Sequence, residues 1–144
     1  MSRVRSRKKA AACAPDPLTP FFRAFFDAVD VGACFLDAEG RVLAANAAMR
    51  GLFASKAFAV GEPCNEGPDA PEGICGNCPA GEALATGEKV SRVAVVPGRD
   101  GGERSLEIVC HPLHDAAGGL IGLAEIVRDV TRRQVFEREM AMVT

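Results

Sequence analysis

GACFLDAEGRVLAAN, residues 32–46, decides how the chain is organised. Gly32–Asp37 and Arg41–Ala45 are short, apolar and β-compatible, and Ala38-Glu39-Gly40 between them is a tight turn. Gly40 supplies the positive φ that such a turn needs. The stretch therefore predicts an antiparallel hairpin. Asn46 follows, placed as the N-cap of a helix over Ala47–Phe53. A hairpin that runs straight into a capped helix calls for a sheet with helices packed on it.

Upstream, Phe21, Phe22, Phe25, Phe26 and Val29 recur at helical spacing, closed off from the N-terminus by Pro15, Pro17 and Pro20. Downstream, residues 54–78 hold no regular element of any length, and a loop of that size in a compact domain is usually functional. Pro79 opens a short helical stretch that stops at Gly87. Lys89–Val96, Glu103–Leu113 and Leu120–Val130 then read as three strands joined by glycine-rich turns, and Thr131–Thr144 as a helix with Val135, Phe136, Met140 and Val143 on one face. Consecutive strands joined by short turns pair antiparallel. The expected fold is α+β: a five-stranded antiparallel sheet with short helices on one face, flanked by N- and C-terminal helices.

At 144 residues, nearly half of them hydrophobic, the chain is the size of one domain with its own core. The expected division is a disordered basic tail over 1–18, a sensor-sized domain over 19–131 and a C-terminal linker helix over 132–144. Residues 1–15 carry five basic side chains and no acid, which leaves twelve basic against nineteen acidic in the rest. An acidic body argues against a dedicated nucleic-acid domain. No apolar run is long enough to span a bilayer, and the basic start lacks the apolar segment of a signal peptide. A cytoplasmic location is therefore expected, where thiols stay reduced, bind metal or cycle. No phosphate loop or Ser-His-Asp set is visible, so no enzyme is expected.

Cys64, Cys75 and Cys78 crowd into fifteen residues of the long loop. Cys75-Gly-Asn-Cys78 has the spacing of zinc knuckles, of some iron–sulfur sites and of thiol–disulfide motifs. Cys64 is the natural third sulfur. A tetrahedral ion asks for a fourth ligand, from Cys110, His111 or His114 on the fourth strand or from Cys34 on the first. Strand alternation turns Cys110 and Cys34 inward with apolar neighbours, where each reads as a small buried hydrophobe, and puts His111 on the other face. Thiol redox chemistry, a zinc or iron–sulfur site and an inert cluster all stay open.

The segment Leu36-Asp-Ala-Glu-Gly-Arg-Val-Leu-Ala-Ala-Asn46 resembles the entry hairpin of PAS sensory domains, and Gly118–Thr131 is similar to their last strand with its Asp129-Val130-Thr131 exit motif. The Gly-x-x-Cys64, Cys75-x-x-Cys78-Pro and Ala-Leu-Ala-Thr-Gly-Glu run looks like a cysteine-containing PAS subgroup. The resemblance covers residues 20–131. It implies a sensing module of a bacterial-type signalling system, homodimeric through its flanking helices, that feeds a histidine kinase or another output domain and takes a redox, metal or small-ligand cue. It gives Asp37, Gly40 and Asn46 structural roles and assigns signal transfer to Asp129 and Thr131. From the residues themselves, Thr131 is a candidate N-cap for the exit helix, and Asp129 can pair with a basic side chain such as Arg41. Gly61-Glu-Pro-Cys64 stands where flavin-binding light sensors place their reactive cysteine, but the chain lacks their following Arg-Phe-Leu-Gln-like run, so flavin is not expected; nor is haem on His111 or His114. The alternatives are a small thiol–disulfide oxidoreductase using Cys75 and Cys78, and a metal-stapled interaction domain.

Overall fold

The computed structural model describes residues 16–53, 58–64, 78–98 and 101–143. Helix α1 (Thr19–Ala28) leads into strands β1 (Gly32–Asp37) and β2 (Val42–Ala45), then helices α2 (Ala47–Leu52) and α3 (Ala80–Thr86). Strands β3 (Val90–Pro97), β4 (Glu103–His114) and β5 (Leu120–Asp129) follow, and helix α4 (Thr131–Val143) closes the order. The five strands form one antiparallel sheet in the order β2-β1-β5-β4-β3. The α+β architecture expected from the sequence is the one observed.

The turns are built by side chains that mimic backbone. Asp37 Oδ1 accepts from the amides of Glu39 (2.9 Å) and Arg41 (3.0 Å), and Gly40 sits at φ +85°. Asp115 Oδ1 does the same for Ala117 and Gly119 between β4 and β5. Aspartate favours turns because its short side chain reaches the amides two to four residues on. At the far end of the first hairpin, Asn46 is fully buried. Its Oδ1 accepts from Met49 N, capping α2, and from Ala33 N on β1 (both 2.9 Å). Its Nδ2 donates to Phe26 O (2.8 Å) and Val31 O (3.0 Å). One side chain thereby ties α1, β1 and α2 together.

The inner face of the sheet carries the core. Leu36, Leu106, Ile108, Leu123 and Val127 point inward at alternate strand positions and meet Met49, Phe53, Phe58 and Ala83 from the covering segments. Burying each large apolar side chain contributes about 1.5–3 kcal/mol. On β1, Phe35 points the opposite way and stacks with Phe22 and Phe26 of α1 at 5.8 and 5.3 Å. Part of the phenylalanine stripe is thus a packing face on the outer side of the sheet, while Phe21 and Phe25 stay exposed. Where β1 passes β5, a Cβ on Gly122 would stand 2.1 Å from Leu36 O, and Gly122 has φ +152°, so only glycine fits.

Candidate functional site

The site follows from strand register. β5 is the central strand, and Glu125 on it lies directly across from Cys34 of β1 on one side and Cys110 of β4 on the other. Directly opposed residues share a face, so these three side chains form a row across the inner surface. All are buried, Glu125 at 5% exposure and both cysteines at 0%. Two further thiols come from above. Cys64 is held by its amide, which donates to Gly40 O at 3.0 Å. The segment before it lies along β2 through hydrogen bonds between Val42 and both Gly61 and Glu62 and a bridge between Arg41 and Pro63. Cys78 immediately precedes Pro79, the N-cap of α3.

Glu125 is the hub. Cys34 Sγ lies 3.4 Å from Oε1, Cys78 Sγ 3.1 Å from Oε2, and Cys110 Sγ 4.0 Å from Oε2. The ligand atoms of Cys34, Cys64 and Glu125 all lie within 4.8 Å of one another, as do those of Cys78, Cys110 and Glu125. Among the described residues no basic side chain forms an ion pair with Glu125. A buried carboxylate whose partners are weak S–H donors is an expensive feature for a core to keep.

The thiols feel that carboxylate. A hydrogen bond with Cys64, burial and the Glu125 charge push the Cys34 thiol well above its ordinary range. The Cys78 thiol is pushed up by its hydrogen bond with Cys110, by burial and by Glu125, against a smaller opposing effect of the Ala80 amide. Each change favours the neutral thiol, which the arrival of a positive charge would reverse.

The other residues singled out from sequence fall as follows. Cys75 and Cys13 lie outside the described residues. Cys110 joins the cluster; its buried, inward position matches its reading as a small hydrophobe, but its sulfur faces a carboxylate. The same holds for Cys34. His111 follows Cys110 on the opposite face, and exposed His114 ends β4 beside Gly87. Neither histidine belongs to the ligand groups found among the described residues.

Asp129 does not pair with Arg41. Arg41 lies by the Asp37 turn, which registers with Gly122 at the opposite end of β5, about 23 Å away at ~3.3 Å per residue. Arg41 donates instead to Gly61 O at 2.9 Å. Asp129 is drawn below the usual carboxylate range: partial burial pushes it up, but the hydroxyl and amide of Thr131 outweigh this with help from Arg104. The capping role also moves. Asp129 Oδ1 accepts from Thr131 N (2.9 Å) and Thr131 Oγ1 (2.5 Å), while that hydroxyl accepts from Ser105 N of β4 (2.9 Å). Thr131 is thus the first helical residue and pins α4 to the sheet, and Asp129 supplies the cap.

Glu125 went unrecognised in the sequence. Its signal was present: an acid at an inward position between Leu123 and Val127, in a strand whose alternation is otherwise apolar.

A five-stranded antiparallel sheet in this order, with short helices over its inner face and an exit helix after the central strand, defines a PAS-type α+β domain. The chain belongs to the PAS family: the family model described as PAS fold matches residues 26–135. Among solved structures it is similar to a PAS domain from Colwellia psychrerythraea, at 24% identity over 81% of this chain and 99% of that one, with a TM-score of 0.58. It is similar to the PAS domain of BvgS from Bordetella pertussis, at 23% identity over 89% and 97%, TM-score 0.54. Vibrio cholerae VqmA, described as a dimer and a LuxR-type receptor, matches at 21% identity over 81% of this chain and 53% of its own, TM-score 0.63. No curated protein matches the sequence. Among the described residues no helix is long and apolar enough to cross a membrane.

Proposed function

We propose that the chain is a signal-sensing PAS module, not an enzyme, whose redox or metal cue acts at Cys34, Cys64, Cys78, Cys110 and Glu125. The response leaves through Asp129, Thr131 and α4. One observation carries this reading: Glu125 and Asp129 occupy the same strand with the same parity, four residues or about 13 Å apart. The strand that bears the hub of the sulfur cluster also bears the cap of the exit helix. A change in charge or bonding at Glu125 alters the twist of β5, and α4 is hooked onto β4 through the Asp129–Thr131–Ser105 chain, the Val130 amide on Ser105 O at 2.8 Å and a long Arg133–Glu107 pair at 3.8 Å.

Both terminal helices expose apolar side chains: Phe21 and Phe25 on α1, Phe136, Met140 and Val143 on α4. These support a homodimer built through the flanking helices and coupling to a histidine kinase or other output domain, in a cytoplasmic setting that keeps the thiols reduced. Vibrio cholerae VqmA, similar in fold, is described as a dimer that shifts conformation in the absence of target DNA.

Hydrogen exchange of the Thr131–Val143 amides tests the reading. Exchange is expected to differ several-fold between fully reduced chain and chain whose thiols are oxidised or metal-loaded, and the difference is expected to vanish in Glu125→Gln. Identical α4 exchange in all thiol states would refute it. A thiol–disulfide oxidoreductase is the second reading, favoured by the hydrogen-bonded pairs Cys34–Cys64 and Cys78–Cys110. Insulin reduction that is lost in Cys78→Ser would support it.

A further inference from the structure

The carboxylate of Glu125 is shared between two pairs of sulfurs rather than buried in one group of four. Oε1 faces Cys34, with Cys64 completing that triad, and Oε2 faces Cys78 and Cys110. A tetrahedral ion that holds sulfur at ~2.3 Å and oxygen at ~2.1 Å places those donors roughly 3.5 Å apart, and two of its sulfurs roughly 3.8 Å apart. The observed sulfur–oxygen separations of 3.4, 3.1 and 4.0 Å bracket that value, and every sulfur–sulfur separation within a triad is under 4.8 Å. Each triad therefore has the spacing of three ligands on one ion, with a fourth position left open.

Charge permits both triads to fill. A first divalent ion needs only its own two thiols ionised, which with Glu125 leaves one net negative charge, and a second ion that ionises the other two thiols adds none, so no uncompensated charge builds up in the core as the second triad loads. Sulfur-rich donors select soft or borderline ions over magnesium or calcium. The Glu125 carboxylate also stands between the two thiol pairs, with Oε1 toward Cys34 and Oε2 toward Cys78 and Cys110.

We propose that Cys34, Cys64, Cys78, Cys110 and Glu125 bind two thiophilic divalent cations of the zinc class, with Glu125 bridging them. This deepens the sensing assignment and rests on it for biological meaning, but not for its chemistry. Three ligands sit on rigid strands β1, β4 and β5, and two sit at either end of the 65–77 segment. Loading the site ties both ends of that segment to the sheet.

The test uses the full chain, reduced, stripped with a chelator under anaerobic conditions and titrated with zinc against a chromophoric competitor, then with cobalt as a spectroscopic probe. Two ions per chain are expected, with thiolate-to-cobalt charge-transfer bands and magnetic coupling between the two cobalt ions. Cys34→Ser and Cys78→Ser are each expected to lose one ion, Glu125→Gln to weaken both at least tenfold and abolish the coupling, and His111→Ala to keep both. Should Cys34→Ser fail to fold by circular dichroism, Cys64→Ser tests the same triad from a half-buried position. One ion or none per chain, two uncoupled cobalt ions, or acid-labile sulfide with iron in the purified protein would each overturn the proposal. Two bound ions with α4 exchange unchanged would uphold the metal site and sink the sensing assignment. No metal binding, with α4 exchange still responding to thiol oxidation, would do the reverse.

Discussion

Replacing Asn46 by alanine should cost the domain about 3–5 kcal/mol, most of it from partners left behind rather than from the lost side chain. Asn46 uses both lone pairs and both amide protons, at 2.9, 2.9, 2.8 and 3.0 Å. Losing the N-cap of α2 alone costs about 1 kcal/mol. The Ala33 amide then loses a partner at a buried site and the carbonyls of Phe26 and Val31 lose theirs at part-buried ones, at roughly 1 kcal/mol each. Water entering the vacated space recovers part of this, which sets the lower bound. For a domain of this length 1 kcal/mol moves the melting temperature by about 4 °C, so a fall of roughly 12–20 °C is expected. Urea denaturation followed by far-UV circular dichroism gives the free energy directly, with an unchanged slope showing that only stability moved. Asn46→Asp separates the contributions. It keeps both acceptor contacts but turns its second oxygen toward two carbonyls, so it should be no better than alanine. A loss under 1 kcal/mol for Asn46→Ala, or an aspartate variant as stable as wild type, would refute the accounting.

Four further outcomes follow from the geometry. Glu125→Gln removes the negative charge that helps hold the Cys34 and Cys78 thiols up, so their alkylation in metal-free, reduced protein at pH 8–9 should accelerate several-fold; an unchanged rate counts against the carboxylate's influence. Because those folded-state thiols are raised, their contribution to stability is whole below the ordinary thiol value of about 8.5 and declines at higher pH as the unfolded chain ionises first; urea midpoints that fall between pH 7.5 and 10, and fall less in Cys34→Ala, are expected. Asp129 is shifted the other way, so its contribution is present above the ordinary aspartate range and lost as pH drops through its lowered folded value; Asp129→Asn should raise α4 exchange at pH 7 with little change in the core. Gly122→Ala should destabilise by several kcal/mol, read by thermal melting, since its Cβ would overlap Leu36 O.

What the sequence discloses and what it hides divide along a physical line. The first hairpin, the Asn46 cap, the Gly87 stop and the three-strand meander are written in local chemistry, and all were legible. Strand ends moved by a residue: β3 runs to Pro97 and β5 stops at Asp129, where the chain turns to cap α4. The sulfur site is different, because register assembles it. Cys34 and Glu125 are 91 residues apart, yet directly opposed on neighbouring strands. Sequence proximity pointed to Cys64, Cys75 and Cys78; pairing brought in Cys34, Cys110 and Glu125. The expected Asp129–Arg41 contact failed for the same reason. Arg41 belongs to the entry hairpin and Asp129 to the exit motif, at opposite ends of the sheet, and the basic group whose charge lowers Asp129 is Arg104 on the neighbouring strand β4.

The aromatic stack on the outer surface places a second lever behind the sulfur centre. Cys34 and Phe35 are consecutive on β1 and look in opposite directions, one toward Glu125 and the other into the rings of Phe22 and Phe26. Any roll of that strand that brings Cys34 closer to a bound guest must tip Phe35 beneath α1. Under the proposed sensing role, α1 stands in line with the sulfur centre through Phe35 as α4 does through β5, and a cue taken up at Cys34 is expected to be read at both ends of the domain.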